Sequence, residues 1–201
     1  MNVTLIDYGA GNVTSVARAL RRLGVTVTCT NHPEDIAAAQ CLILPGVGHC
    51  SALISSFDAH GLRGPLLEAI SRGTPFLGIC LGLQVLYESS EEAPGLAGLG
   101  LFKGSVVQLP QNVKLPHMGW NQLHALRTSR LLDGILPEAY FYFAHSYAVP
   151  AGGSQTAATC EHGCEFTAVL EDGSVFGVQF HPEKSGTPGA KLLENFLRFA
   201  A

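Results

Sequence analysis

The chain has 201 residues, of which 47% are hydrophobic and only 14% charged, and its formal net charge is −4. This length suits one domain with its own core, so we expect a single domain over residues 1–201. The negative balance and the lack of a Lys/Arg cluster exclude a nucleic-acid-binding surface, and no apolar run is long enough to cross a membrane. The first residues lack the pattern of a signal peptide, which favours a cytoplasmic protein.

Short apolar runs alternate with amphipathic ones in the first part of the chain. Strands are predicted at residues 3–8, 25–30 and 41–44, with helices at 13–23, 51–60 and 64–72. Such alternation favours a parallel sheet covered by helices. The first turn, Gly9-Ala10-Gly11-Asn12, does not fit a dinucleotide fingerprint, because Thr14 stands where the third glycine belongs.

A glycine-rich loop, Pro45-Gly46-Val47-Gly48, follows the third predicted strand. Ligands of open α/β sheets bind at the carboxyl ends of the strands, and the two glycines allow backbone amides to turn toward such a ligand. Taken alone, a loop of this kind is more often an ordinary glycine-rich strand exit.

Cys80 lies in the segment Gly78-Ile79-Cys80-Leu81-Gly82, between an apolar run at 74–79 and residues 81–88 of helical composition. This predicts a strand, a sharp turn and a helix, the sulfur counterpart of the G-x-S-x-G nucleophile elbow. A helix N-terminus favours thiolate over thiol, and the Leu81 amide would point at an oxyanion beside the sulfur. The alternative is a buried core cysteine.

The pattern changes to shorter, alternating strands between residues 104 and 179. They are predicted at 105–109, 140–143, 155–161, 166–170 and 174–180, and Asp172-Gly173 predicts a hairpin between the last two. We expect this half to be antiparallel or mixed and to continue the same sheet. The predicted fold is therefore α/β, with an open, mixed, largely parallel sheet flanked by helices.

His181-Pro182-Glu183 closes the last predicted strand. Residues two apart in an extended chain project to the same side, so the imidazole and the carboxylate can face one way. A thiolate that attacks an amide needs such a base, which later protonates the amine, and a carboxylate to orient it. A satisfied histidine followed by a surface glutamate is the alternative.

Cys160-x-His162-x-Cys164 has the composition of a metal site. It offers three candidate ligands in one predicted hairpin, whereas a structural zinc normally has four. We expect neither a metal nor another cofactor.

Together, the Cys80 segment, the glycine-rich loop and the His-Pro-Glu motif resemble the class I glutamine amidotransferases. In that family a cysteine, histidine and glutamate hydrolyse glutamine to glutamate and ammonia. Further segments resemble the branch of the family that supplies ammonia to a (β/α)8-barrel cyclase in histidine biosynthesis. Those segments are Ile6-Asp7-Tyr8-Gly9-Ala10-Gly11-Asn12, Leu44-Pro45-Gly46-Val47-Gly48, Pro116-His117-Met118-Gly119-Trp120-Asn121, His145-Ser146-Tyr147 and His181-Pro182-Glu183-Lys184-Ser185.

The resemblance implies that Cys80 is the nucleophile, His181 the general base and acid, and Glu183 its orienting partner. It further implies an oxyanion hole whose loop waits for the partner subunit, a site for L-glutamine, and a surface that contacts the cyclase in a heterodimer. The implied oxyanion-hole residues are Val47, Gly48 and Leu81. The implied glutamine-binding residues are Gln84, Glu92, His145, Ser146 and Tyr147. The implied partner-facing residues are Gly11, Asn12, Met118, Trp120, Asn121 and Lys184.

Two other functions remain open at the level of the sequence. The chain could be a glutaminase subunit for another pathway, such as pyridoxal phosphate or purine synthesis. It could also be a noncatalytic module, because a fold alone does not define a function.

Overall fold

The computed structural model describes residues 1–9 and 12–201. The helices of the described residues are α1 (Val13–Arg22), α2 (Pro33–Ala38), α3 (Cys50–Ala59), α4 (Arg63–Ser71), α5 (Leu81–Gln84) and α6 (Gly186–Ala200), and a 3₁₀ helix covers Pro182–Lys184. The strands are β1 (Asn2–Ile6), β2 (Thr26–Thr30), β3 (Leu42–Gly46), β4 (Phe76–Cys80), β5 (Tyr87–Ser90), β6 (Phe102–Gln108), β7 (His117–Gln122), β8 (His124–Ala125), β9 (Tyr140–His145), β10 (Tyr147–Ala148), β11 (Thr156–Glu161), β12 (Glu165–Asp172) and β13 (Val175–Val178).

The main sheet has eight strands in the order β2-β1-β3-β4-β13-β12-β11-β8. Five neighbouring strands, β2, β1, β3, β4 and β13, run parallel to one another. β12, β11 and β8 continue the sheet with antiparallel pairing. This confirms the predicted open, mixed sheet and its largely parallel half. The hairpin predicted at Asp172-Gly173 joins β12 to β13, with Asp172 opposite Val175.

Apolar side chains cover both faces of the sheet, as expected for strands buried on two sides. Along β3, Ile43 faces one core cluster while Leu42 and Leu44 face the other. The first cluster packs against α1 and α6, and the second packs against α3 and α4. Within the described residues, no helix has the length and apolar character needed to span a bilayer.

The predicted strands at 105–109 and 140–143 were wrongly expected to continue the main sheet. β6 lies in a three-stranded sheet with β5 and β10, and β9 pairs with β7 alone. The inward side chains of β9 hold it over the main sheet, because the rings of Phe141 and Phe143 pack on Phe180 with centroid distances of 4.3 and 5.6 Å. Packing against the core, rather than edge pairing, therefore positions this strand.

The helix after Cys80 is shorter than the sequence indicated, because α5 ends at Gln84 and the chain enters β5 at Tyr87. Carbonyl groups that a longer helix would use accept hydrogen bonds from the segment 98–102 instead. Leu99 N–H donates to Val85 O at 2.7 Å, and Gly98 N–H donates to Glu88 O at 2.9 Å. A Cβ at Gly98 would overlap Tyr87 O, so glycine permits this close approach.

Candidate active site

Cys80 occupies a strained turn between β4 and α5. Its φ of +54° is the one positive value among the non-glycine residues that the structure describes. The neighbouring glycines make the turn possible, because a Cβ at Gly78 would overlap Gly82 O and one at Gly46 would lie 2.5 Å from Gly82 N. Strain of this kind persists only where the surroundings enforce it, and it is common at active sites.

The sheet order brings His181 to Cys80. β13 lies beside β4, with Val178 opposite Ile79, so the residues that follow these two strands meet at the carboxyl edge. His181 is extended, with φ −102° and ψ 95°, and the chain then turns into the 3₁₀ helix that carries Glu183. The sequence interpretation placed both residues in extended chain, whereas the 3₁₀ turn positions the carboxylate.

His181 Nδ1 lies 2.9 Å from Glu183 Oε1, and the two side chains are only 3% and 0% exposed. Because an ionised carboxylate only accepts, Nδ1 carries a proton and the other ring nitrogen is available to Cys80, which His181 contacts by a hydrogen bond. Burial opposes the charged imidazolium, but the Cys80 thiolate and Glu183 outweigh it and raise the pKa of His181 to about 10. The imidazole is therefore protonated at pH 7, and an imidazolium faces the sulfur.

Asn12 contacts this group of residues, although the sequence resemblance placed it on the partner surface. Its Nδ2 donates to Glu183 Oε1 at 2.9 Å. Oε1 therefore accepts from both Asn12 and His181, so the turn before α1 helps to orient the carboxylate. Gly11, the other partner-facing residue implied for this turn, lies outside the described residues.

The loop after β3 lies beside the sulfur, and Val47, Gly48 and Leu81 line the same cavity as Cys80. The hydroxyl group of Tyr8 donates to Val47 O at 2.9 Å and accepts from Val47 N–H at 3.0 Å. Burial raises the pKa of this hydroxyl to about 12, so it stays protonated and can donate. The sequence did not predict this role of Tyr8, because its pattern placed the residue in the first strand.

The cavity has a volume of about 370 Å³, which suits a small-molecule ligand. It brings together Cys80, His181 and every residue for which the resemblance implied glutamine binding, with Lys184 also in its wall. The lining residues named by the sequence analysis are Val47, Gly48, Cys80, Leu81, Gln84, Glu92, His145, Ser146, Tyr147, His181 and Lys184.

Two polar side chains in the cavity are held in place by hydrogen bonds to neighbouring residues. Glu92 Oε2 accepts from Cys50 N–H at 3.0 Å, at the start of α3. Gln84 Nε2 donates to Tyr147 O at 2.7 Å and to Gln179 Oε1 at 3.0 Å. Both hydrogens of the Gln84 amide are thereby used, so its oxygen is the atom that can turn toward a ligand.

The outer face of the β7–β9 sheet exposes large apolar side chains. Met118 is 65% exposed and Trp120 55%, so neither side chain belongs to the core. Trp120 packs edge-on against Tyr142, whose ring lies 5.6 Å from Lys184 Nζ. We call Met118, Trp120, Tyr142 and Lys184 the aromatic face.

Asn121 points to the other side of β7, so it does not belong to the aromatic face. Its Nδ2 donates to Glu161 O at 3.0 Å. The alternation of side chains along a strand explains the difference, because residues 118 and 120 share a face that residue 121 cannot. Over residues 1–9 and 12–201, no group of three or more His, Cys, Asp or Glu side chains has the arrangement of a metal site.

Comparison with known proteins gives this geometry its context. The family model "Glutamine amidotransferase class-I" matches residues 4–199. The chain therefore belongs to the class I glutamine amidotransferase family. Its fold resembles solved structures of a glutamine amidotransferase (TM-score 0.78, 20% identity, 98% of each chain covered) and of PurLQS from Thermotoga maritima (TM-score 0.76, 19% identity, 100% and 99% covered).

Curated relatives within the family carry a more particular name. Imidazole glycerol phosphate synthase subunit HisH of Deinococcus radiodurans is 48% identical over 200 residues, with 98% of this chain and 93% of that protein covered. The subunit of the same name from Methanothermobacter thermautotrophicus is 46% identical, with 97% of each chain covered.

Proposed function

We propose that the chain is the glutaminase subunit of an imidazole glycerol phosphate synthase. It hydrolyses L-glutamine to glutamate and ammonia, and the ammonia passes to a cyclase subunit with a (β/α)8-barrel fold. The cyclase forms imidazole glycerol phosphate and the aminoimidazole carboxamide ribonucleotide by-product in histidine biosynthesis, in the cytoplasm. The observation that carries the chemistry is the buried contact of His181 with both Cys80 and Glu183 beside the cavity.

In the first half-reaction the Cys80 thiolate attacks the side-chain carbonyl carbon of glutamine. A carbon–sulfur bond forms and the carbonyl electron pair moves to oxygen, which then accepts hydrogen bonds from the Leu81 N–H and from one N–H of the loop at 47–48. His181 then gives its proton to the amide nitrogen as the carbon–nitrogen bond breaks. The products are free ammonia and a glutamyl thioester on Cys80.

In the second half-reaction His181 is neutral and acts as the base. It takes a proton from water, whose oxygen attacks the thioester carbon, and the carbon–sulfur bond breaks to restore the thiolate. Glu183, held by Asn12, stabilises the imidazolium that forms again. Glutamate then leaves the cavity.

The cavity has complementary groups for the amino-acid end of glutamine. The Glu92 carboxylate can pair with the α-ammonium group, because Cys50 N–H uses only one of its two oxygens. The backbone of residues 145–147 and the Gln84 oxygen offer the remaining polar partners. These groups select the α-amino-acid end of the substrate.

The aromatic face supports the assignment of a partner subunit. Exposed Trp and Met side chains beside an active-site mouth mark an interaction surface more often than a free one. Lys184 links this face to the cavity, since it contacts the Tyr142 ring and also lines the cavity. Ammonia can thus leave the site next to the bound cyclase.

Glutamate release from glutamine tests the proposal. The purified chain alone should release little, and the addition of a cyclase barrel with its phosphoribosyl substrate should stimulate release strongly. Cys80→Ala should abolish glutamine-dependent turnover, while the complex supplied with ammonium salts still turns over. Cys29→Ala, at an exposed cysteine, is the matched control and should behave like the wild type. Glutamine-dependent turnover by the Cys80→Ala complex would contradict the nucleophile assignment.

A further inference from the structure

Gln179 lies fully buried beside the nucleophile, and neither the sequence motifs nor the mechanism above gives it a role. It follows β13 by one residue and precedes His181 by two. Its Nε2 donates to Cys80 Sγ at 3.6 Å, and its exposure is 0%. The backbone of the same residue is anchored, since its N–H donates to Ala168 O at 3.0 Å.

The orientation of this amide follows from one backbone carbonyl. Tyr147 O can only accept, so the group of Gln84 that lies 2.7 Å from it is the NH₂. The same NH₂ group donates its second hydrogen to the side-chain amide of Gln179, 3.0 Å away. The atom of Gln179 that accepts this hydrogen must be the oxygen, Oε1. The NH₂ group of Gln179 is left facing the sulfur. These three successive hydrogen bonds therefore orient the NH₂ group of Gln179 as a donor to the Cys80 sulfur.

Two histidines hold the Tyr147 carbonyl group in place. His145 Nδ1 lies 2.9 Å from Tyr147 O and donates to it, so its Nε2 accepts from His117 Nδ1 at 3.1 Å. Burial lowers the pKa of His145 to about 3 and that of His117 to about 4, so both rings are neutral at pH 7. Each ring then has one donor and one acceptor, and the direction of the chain of hydrogen bonds is unique.

We propose that Gln179 is a further catalytic residue, whose side-chain amide stabilises the Cys80 thiolate, and that Gln84 and Tyr147 O are its positioning groups. A hydrogen bond to the charged form of a group favours that form. The contribution matters here because α5 has only four residues and cannot supply the macrodipole of a full helix. The role deepens the proposed glutaminase function and rests on it.

Other titratable groups act on the sulfur and stay in place when Gln179 is changed. The His181 imidazolium contacts it directly, and the neutral Tyr8 hydroxyl lies near it. Glu92 and Lys184 are the charged side chains that line the same cavity. Glu183 and His145 act through His181. A difference between wild type and a Gln179 variant therefore isolates the donor at residue 179.

The test is the pH dependence of Cys80 alkylation by iodoacetamide, quantified by mass spectrometry of the peptide that contains Cys80. Gln179→Met keeps the length of the side chain and removes the donor. The midpoint of the alkylation profile should move about one pH unit upward, a tenfold change in the thiolate-to-thiol ratio. The acid limb of kcat/KM for glutamine in the cyclase complex should move with it. Cys29 in the same sample and the exposed-site variant Gln108→Met should keep wild-type profiles.

A second variant keeps the test decisive if Gln179→Met does not fold. Gln84→Met leaves the donor in place but removes the contact that orients it, so a smaller upward shift is expected. A wild-type midpoint in the folded variants overturns the role of Gln179. Iodoacetamide needs no glutamine, so that result is distinct from a failure of the wild-type complex to release glutamate, which would overturn the proposed function instead.

Discussion

The Tyr8 hydroxyl group binds both polar backbone atoms of Val47, accepting from its N–H at 3.0 Å and donating to its carbonyl at 2.9 Å. One side chain two residues beyond β1 therefore determines how the loop after β3 presents its peptide groups. In this arrangement the Val47 N–H points to Tyr8, so it is not available to an oxyanion beside Cys80.

Tyr8→Phe should raise glutamate release by the chain alone. Without the hydroxyl, the Val47 N–H loses a partner worth roughly 1 kcal/mol, so orientations that face the cavity become about fivefold more populated. Release in the presence of the cyclase should change less, and the stimulation ratio should fall. The control is Tyr87→Phe, which removes a buried hydroxyl that bonds to Gln155 outside the cavity. A fall in basal release would instead mean that Tyr8 holds the loop in its productive form.

Glu92→Gln should weaken glutamine binding while the chain stays folded. The amide oxygen can still accept from Cys50 N–H, but the charge that pairs with the α-ammonium group is lost. KM for glutamine should rise about thirtyfold with a smaller change in kcat, since a hydrogen bond to a charged group is worth about 2 kcal/mol. Glu91→Gln changes the neighbouring carboxylate, which bonds to Gln108 N–H outside the cavity, and should leave KM unchanged. Steady-state kinetics of the cyclase complex with glutamine would measure KM and kcat for both variants.

Trp120→Ala should weaken cyclase binding without loss of stability. The side chain is 55% exposed in the free subunit, so its removal leaves no core cavity, whereas a buried interface tryptophan typically contributes 2 kcal/mol or more. The Kd from calorimetric titration should rise about thirtyfold and the Tm should stay constant. Leu136→Ala removes an apolar side chain that is 67% exposed and is not part of the aromatic face, and it should leave Kd unchanged. An equal rise in Kd for both variants would contradict the assignment of the aromatic face as the cyclase-binding surface.

The free energy of unfolding should fall as the pH drops from 7 to 5. Burial holds the pKa of His117 near 4 and that of His145 near 3, whereas both lie near 6.5 in the unfolded chain. Below pH 6.5 the unfolded state therefore binds protons that the folded state does not, at a cost of about 2 kcal/mol per histidine by pH 5. The raised pKa of His181 acts in the opposite sense and only above pH 6.5.

Urea titrations of wild type and His117→Gln at pH 7, 6 and 5 check this expectation. The variant has one buried imidazole fewer, so its stability should depend less steeply on pH. The control His32→Gln changes a histidine outside the buried cluster and should keep the wild-type slope. Parallel slopes for all three proteins would assign the pH dependence to other groups.

The sequence predicted those parts of the site that depend on near neighbours in the chain. The elbow at Cys80 follows from glycines two residues away, and the His181–Glu183 contact joins residues two apart. It did not predict Tyr8 as a partner of Val47 or Asn12 as a partner of Glu183, because these contacts depend on the order of strands in the sheet. Asn12 and Glu183 are 171 residues apart.

The sequence also offers no indication of a role for Gln179. This residue lies in an apolar strand segment, where an isolated amide has no pattern that separates a structural from a chemical role. The early end of α5 was also not predictable from composition, since residues 81–88 have good helix formers and the carbonyl partners come from residues 98–102. Tertiary hydrogen bonds overrode local propensity.

β13 occupies a central position in the main sheet but is synthesised late in the chain. β4 and β12 flank it in the sheet, yet Gln179, just past its end, follows Cys80 by 99 residues. While the ribosome synthesises those residues, the apolar edge of β4 lacks its partner and can pair with other chains, so folding yield in the cell should depend on how quickly synthesis is completed. Until then Cys80 has neither imidazole nor amide beside it, and an unfinished chain cannot consume glutamine.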